Sequence, residues 1–201
     1  MRSVSIVCLL LTSLISAVAT SSAEFDDRNL SIAGITLGKD SIDELKQKLG
    51  DGAVFKVSKE QEAASLVCYV SENRNDNTTL LFVSGAAGGW STVTEFQLTS
   101  GAQIVADSHT VDRKRCAVSK MVSAQVRTSG GLGIGTPKAA VELHLGRPNT
   151  ASANTYTYKR STEKQVRING RTEEVTSEKT MIIRFAKNKV VDIRVVFTET
   201  T

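Results

Sequence analysis

The chain has 201 residues, of which 40% are hydrophobic and 23% are charged, a composition typical of a globular protein and unlike that of disordered or fibrous chains. Its formal net charge is +4, with lysine and arginine interleaved among aspartate and glutamate. Proteins that bind nucleic acid concentrate their basic charge on one face or segment, so we expect no nucleic-acid partner. Two histidines and three cysteines leave few ligands for a closed zinc site, and we expect neither a metal nor a cofactor.

The N-terminus has the pattern of a secretory signal peptide. Arg2 gives a short positive start, an apolar run follows over residues 4–15, and small residues fill 16–23. The apolar run is shorter than the ~20 residues that a membrane span needs. We therefore predict a signal peptide over residues 1–23, with cleavage after Ala23 favoured over cleavage after Ala19. The processed protein is then periplasmic or secreted and has no integral membrane segment.

Two cysteines remain once this segment is removed. Cys68 lies in an apolar run over residues 65–70 that reads as a buried strand, and Cys116 follows a basic cluster. Disulfides form and persist in exported proteins, which predicts a Cys68–Cys116 disulfide. The alternative is a catalytic thiol, which would need a nearby base to lower its pKa.

A first supersecondary unit begins at residues 34–38, which read Gly-Ile-Thr-Leu-Gly. Ser41 and Glu44 form a capping-box pattern that predicts a helix start. The apolar residues of this helix recur on one stripe, and Gly50 is typical of a helix end. Three β-rich runs follow, over residues 64–71, 79–84 and 93–100.

A second unit repeats this order of signals. Residues 131–135 read Gly-Leu-Gly-Ile-Gly, Thr136 and Pro137 predict an N-cap and first helical position, and Gly146 predicts the helix end. Asn169-Gly170 is a strong hairpin signal between two strands. The strand signal resumes over 181–185, and after a turn at 187–189 a last run, 191–195, alternates apolar and polar residues.

These patterns predict an α+β fold of two tandem units, 24–108 and 109–201. Each unit would pack one helix on its own small antiparallel sheet. The alternative is that the two glycine motifs match by chance.

The pattern of each unit resembles that of the BamE/SmpA small lipoproteins, and two units in tandem resemble the beta-lactamase inhibitory protein architecture. The matching residues are Gly34, Gly38, Leu49 and Gly50 in one unit, and Gly131, Gly135, Leu145 and Gly146 in the other. The inhibitor resemblance implies a sheet surface that binds and blocks an enzyme, and the lipoprotein resemblance implies a role in envelope assembly. The cysteine that carries the lipid in those lipoproteins is missing here.

Residues that could carry catalysis are few. His109 stands close to Asp107 and Ser108, but neighbours on an extended chain point in alternate directions and do not form a Ser-His-Asp triad. His144 is predicted near a helix C-terminus, where a cation is favoured by the helix dipole. The glycine-rich segment 129–136 lacks the Lys-Ser/Thr ending of a phosphate-binding loop. We therefore predict no catalytic residue.

Five residues are candidates for contact with a partner protein. Trp90 follows a glycine-rich loop and is either an interface anchor or a cap on the core. Tyr156 and Tyr158 share one strand face and belong either to a binding surface or to the core. Arg113 and Arg115 lie in the densest basic cluster, which is either a docking patch or a solvated face.

The sequence thus predicts an exported, non-catalytic protein-binding module, such as an enzyme inhibitor or an immunity-type protein, that acts through its sheet surface. The first alternative is an envelope assembly factor. The second is a small envelope hydrolase that uses His109 or His144.

Overall fold

A computed structural model describes residues 25–59, 62–85, 91–101, 103–106, 109–168 and 170–200, with the side chains of 56–59, 62–63, 103–106, 109–110 and 168 left aside. The predicted signal peptide lies outside these residues. Two α-helices are described, α1 (Ile42–Leu49) and α2 (Lys138–Leu145). The strands are β1 (Ser31–Ile32), β2 (Ile35–Thr36), β3 (Val54–Lys59), β4 (Glu62–Ser71), β5 (Thr79–Ser84), β6 (Val93–Thr99), β7 (Gln103–Ala106), β8 (His109–Asp112), β9 (Ala117–Ser119), β10 (Thr150–Ala151), β11 (Thr155–Ile168), β12 (Arg171–Ala186) and β13 (Lys189–Thr200).

Nine of these strands form one large sheet. Its order is β10-β11-β12-β13-β6-β5-β4-β3, and β9 pairs in parallel with one end of β4. All other pairs in this sheet are antiparallel. Two small hairpins, β1-β2 and β7-β8, stand apart from it. Among the described residues 53% are in strands, so the fold is mostly antiparallel sheet.

The predicted fold class, two tandem units each with its own small sheet, is wrong. Strand β6 of the first half pairs with β13 of the second half from Glu95 to Thr99, which joins both sets of strands. Phe96 and Leu98 continue the apolar surface of Ile193 and Val195 across that pair. A separate β6 or β13 would have left an unpaired edge of backbone donors and acceptors, and the joined sheet removes it. The proposed division between residues 108 and 109 stays a prediction.

One hydrophobic core lies on the side of the sheet that carries both helices. Leu45 and Leu49 of α1 and Val141 and Leu145 of α2 belong to a single cluster of buried residues. Strands from both halves contribute to it, as do the first described residues from Phe25 onward. A large apolar face is therefore shared by the two helices, which is the second reason why separate units do not form.

The ends of α1 confirm the sequence prediction. Ser41 accepts a hydrogen bond from the Glu44 N–H, and the Glu44 carboxylate accepts one from the Ser41 N–H, which completes the capping box. Gly50 ends the helix with a φ of 96°, a left-handed value that favours glycine. The Tyr69 hydroxyl of β4 donates to the Gly50 carbonyl over 2.8 Å. Burial, reinforced by the charge of Asp51, raises the pKa of Tyr69 to about 12.

Helix α2 differs from the prediction at its start. Pro137, not Thr136, is the N-cap residue, and no side chain caps the helix. The backbone before α2 pairs with the start of β13, since the Thr136 carbonyl accepts from the Val190 N–H over 2.9 Å. The Thr136 hydroxyl accepts from Gly133 instead of capping α2. At the other end Gly146 has positive φ as predicted, and its carbonyl accepts from the Tyr158 hydroxyl.

The β11-β12 hairpin projects beyond the rest of the sheet. Within the described chain, residues 164–168 and 171–175 pair with each other only, because β13 begins to pair with β12 at Thr176. The pairing of Ile168 with Arg171 confirms the predicted hairpin around Gly170. Neither α1 nor α2, the α-helices of the described residues, has the length and apolar character needed to cross a membrane.

Candidate interaction surface

The nine-stranded sheet has a second face, opposite the helices, and its side chains change in character from one edge to the other. Strand alternation and register place three cross-strand rows on it. The middle row contains Cys68, Leu81, Gln97, Arg194, Ile182 and Thr157, in the order of the strands from β4 to β11. The row is apolar and buried at β4 and β5, polar at β6 and β13, and partly exposed at β12 and β11.

The β4-β5 portion of the second face, which we call the covered half, is packed under a later part of the chain. Leu66, Cys68 and Leu81 are each at most 2% exposed and form a second hydrophobic cluster with Val111. The predicted disulfide between Cys68 and Cys116 is confirmed, and it ties this later segment to β4. The covered half is therefore a small second core with its own covalent link.

Two polar pairs fill the middle of the second face, and we call Glu95, Gln97, Asp192 and Arg194 the seam. The Arg194 guanidinium donates to both carboxylate oxygens of Glu95, over 2.7 and 2.8 Å. The Gln97 amide donates to Asp192 over 2.6 Å. These pairs connect β6 to β13, so the strand pair that joins the two halves of the chain is also held by its side chains.

Three of the four seam residues are buried although they are polar, and Arg194 is partly exposed. Glu95, Gln97 and Asp192 are 4%, 2% and 6% exposed. Burial raises the pKa of Asp192, and the Gln97 hydrogen bond and the charges of Arg184 and Arg194 oppose that rise only in part. The charged form of Asp192 is therefore less stable in the folded protein than in water.

The portion of the second face beyond the seam, on β11 and β12, is the open half. It consists of six partly or fully exposed side chains from neighbouring strand positions: Thr155, Thr157, Lys159, Thr180, Ile182 and Arg184. The opposite side of the same strands is filled by core residues, since Met181 and Ile183 are fully buried. The open half is therefore a sheet surface backed by a rigid core, with β-branched residues between two cations.

The two predicted aromatic contacts lie on the other side of the sheet. Tyr156 and Tyr158 are 6% and 3% exposed and belong to the helix-side core, so core packing is the role that the structure gives them. Tyr156 packs edge-on against Phe185, and its hydroxyl bonds Glu142 of α2. The Lys138 ammonium lies 4.5 Å from the centre of the Tyr156 ring.

The basic cluster has structural contacts. Arg113 donates to the Asn77 side chain over 2.8 Å and to the Asp76 carbonyl over 2.7 Å, which fixes the turn before β5. Arg115 lies over the Phe55 ring at 4.5 Å and shields the covered half. Both cations thus support the packing of the second face, and neither lies on the open half.

Of the remaining sequence candidates, the structure describes the side chain of His144 alone. Trp90 lies outside the described residues, as does the side chain of His109. His144 lies exposed in the last turn of α2. No group of three or more histidine, cysteine, aspartate or glutamate side chains in the described ranges is arranged to hold a metal ion.

Sequence reasoning missed the seam and the open half. The alternation of Glu95 and Gln97 with Phe96 and Leu98 indicates one polar and one apolar face, but it does not say what lies against the polar face. Only the pairing of β6 with β13 shows that two such polar faces meet and bury each other's charges. Comparisons of this chain with protein-family models, with curated proteins and with solved structures give no match.

Proposed function

We propose that the protein is an exported, non-catalytic module that binds another protein through the open half of its second sheet face. An inhibitor or immunity-type role belongs to this proposal. The observation that carries it is the asymmetry of that face: the covered half is closed by residues around Val111 and Cys116, whereas Thr157, Ile182 and Arg184 are left partly or fully exposed.

The chemistry of the open half supports this role. Thr157 and Thr180 offer hydroxyl groups and methyl groups, and Ile182 offers apolar area between them. Lys159 and Arg184 are exposed cations at opposite ends of the patch. Protein interfaces combine an apolar centre with a polar rim and are enriched in arginine, so a partner with an acidic rim fits this surface.

Export is supported by the disulfide, because disulfide bonds persist in oxidising compartments and are rare where thiols are kept reduced. Cleavage after Ala23 and a periplasmic or secreted location remain parts of the proposal. In an oxidising compartment the Cys68–Cys116 disulfide persists, and it keeps the later segment packed on the covered half.

The proposal is tested by affinity capture from envelope and culture fractions with the exported chain as bait. We expect one stoichiometric partner that is retained by the unaltered chain and lost by Ile182→Arg, which places a large charge in the centre of the open half. Leu143→Arg is the matched control, because Leu143 is 90% exposed on α2 and lies away from the second face.

Two results would overturn the proposal. One is a partner that is lost with Leu143→Arg and kept with Ile182→Arg. The other is hydrolase activity of the purified chain that His109→Ala or His144→Ala abolishes, which would make the protein an enzyme.

A further inference from the structure

Among the described residues, the outer edge of β13 has no strand partner over its last four residues. β13 pairs with β6 only as far as Val196, whereas its pairing with β12 continues to Thr200. Val93, the first residue of β6, pairs instead with the turn before α1: it accepts from the Gly38 N–H over 2.8 Å and donates to the Asp40 carbonyl over 2.9 Å. In the described chain, no other strand pairs with the free edge at Phe197–Thr200.

A cavity of about 430 Å³ lies beside this edge on the helix side of the sheet. Phe197 and Glu199 of β13 line it, together with Lys164 of β11 and Lys179 of β12. The turn that includes Gly38 and Lys39 forms the facing wall. A side chain at Gly38 would collide with the Phe197 ring, so glycine keeps this turn close to β13. The cavity thus combines an aromatic wall with charged groups.

The charges in the cavity have an excess of cations. Lys39, Lys164 and Lys179 face two carboxylates, those of Asp27 and Glu199. Lys179 is only 8% exposed, and its ammonium donates a hydrogen bond to the Asp27 carboxylate over 2.6 Å. The Asp27 side chain is itself 62% exposed. An ammonium has three N–H donors, so an incoming carboxylate can share Lys179 with Asp27 or replace it.

We propose that an acidic, extended segment of the partner protein adds as a further strand beside Phe197–Thr200 and places one aspartate or glutamate side chain in this cavity. The inference rests on the proposed function of the protein as a binding module and names a second contact region for it. Strand addition uses main-chain hydrogen bonds for affinity and pockets for alternate side chains for selectivity.

The direction of the strand side chains fits this arrangement. Phe197 packs against the helix-side core, and Glu199 bonds Ser177 and Lys164 in the cavity. Alternate residues of an added strand would face the same side as these two, so they reach the cavity without a change in the sheet. The excess of positive charge selects an acidic residue there. A second copy of this chain would bring the same lysines to the edge and is disfavoured by repulsion.

The probe for this site is a short fluorescent peptide that alternates valine and glutamate, with a matched peptide in which glutamine replaces glutamate. Anisotropy titration of the full processed chain should show the glutamine peptide to bind about tenfold more weakly, because a charge-assisted hydrogen bond is lost. Two further peptides carry N-methyl groups on alternate amides, one on the odd positions and one on the even positions. Because alternate N–H groups of a strand point to the same side, one of these two peptides should lose binding and the other should keep it. Added salt should weaken the glutamate peptide most.

Variants of the chain assign the effect to the cavity. Lys179→Met keeps the buried stem and should remove the preference for glutamate, whereas Asp27→Asn should strengthen binding of the glutamate peptide by freeing the ammonium. Lys120→Met, at an exposed position, is the control and should change nothing. Circular dichroism tests whether each variant is folded. If Lys179→Met is unfolded, the binding of the glutamate peptide by Asp27→Asn decides.

Equal binding of the two peptides, or a glutamate preference that survives Lys179→Met, would overturn the inference. So would weaker binding by Asp27→Asn. If the capture experiment still yields a partner that Ile182→Arg loses, the proposed function stands and only the β13 edge is excluded as a contact.

Discussion

The two halves of the second sheet face are both built from antiparallel strands, but they differ in burial: one is covered by a later part of the chain and the other is exposed. In the covered half, Leu81 is fully buried under residues of the Val111–Cys116 segment. In the open half, Ile182 occupies the same cross-strand row but is partly exposed, with Arg194 and Gln97 between them. A β-sheet with two apolar faces needs cover on both, whereas a face of threonine and charged residues does not.

This difference separates residues that stabilise the fold from residues that are free to bind. Hydrophobic side chains in the covered half are committed to packing, and the disulfide adds a constraint there. Side chains in the open half contribute little to the core, because the helix side of β11 and β12 already buries Tyr158 and Met181. Substitutions should therefore reduce stability in one half and partner binding in the other.

The largest effect is expected for removal of the disulfide. Cys68→Ala combined with Cys116→Ala should lower the free energy of unfolding by about 4 kcal/mol, because the bond closes a loop of 48 residues in the unfolded chain. Urea denaturation followed by circular dichroism measures this loss. A loss close to zero would show that the covering segment stays in place without the bond, and the comparison of the two halves would lose one of its supports.

A matched pair in the same row gives the next effect. Leu81→Ala should cost about 3 kcal/mol, since it leaves a cavity in a fully buried site. Ile182→Ala should cost about 1 kcal/mol or less, because the side chain is partly exposed and retains only part of the transfer term. The same denaturation experiment compares the two. Equal losses would contradict the distinction between a covered and an open half.

The smallest effect concerns the seam and depends on pH. Burial raises the pKa of Asp192 in the folded protein, so its charged form is disfavoured there relative to the unfolded chain. Stability from this group is present below the ordinary pKa of 3.8 and is lost as the pH rises through the raised value. Asp192→Asn should therefore gain stability over the unaltered chain at neutral pH, by less than the losses above.

The pH series itself supplies the control. The advantage of Asp192→Asn should shrink as the pH is lowered toward 3.8, because the aspartate becomes neutral as well. Thermal melts of both proteins between acid and neutral pH measure the difference. An asparagine variant that is less stable at neutral pH would mean that Arg184 and Arg194 stabilise the Asp192 carboxylate more than burial destabilises it.

Local structure was largely predictable, and the joining of the halves was not. The Ser41 capping box, the glycine at each helix end and the hairpin at Gly170 depend on neighbouring residues, and all three are confirmed. The pairing of β6 with β13 depends on residues almost a hundred positions apart in sequence, and local periodicity carries no information about it. Two separate sheets and one joined sheet have the same strand patterns.

The sequence predicts that a sheet surface binds the partner, but it does not predict which residues form that surface. The disulfide followed from the compartment argument, but the side of the sheet that Tyr156 and Tyr158 occupy followed from the position of α2. The sequence does not predict that Ile182 is partly exposed while its neighbour Ile183 is fully buried. Both residues are apolar, so the pattern of apolar and polar residues does not show which of the two faces the core. The strand register shows that Ile183 lies on the core side and Ile182 on the second face.

Site-specific photo-crosslinking tests the central claim that the open half is the binding surface most directly. A photoreactive amino acid at Thr157 should give a covalent adduct with one partner in the envelope or culture fraction, and the same amino acid at Val118, which is 65% exposed on β9, should give none. An adduct from Val118 with none from Thr157 would contradict the account, because it would place the partner beside the covered half.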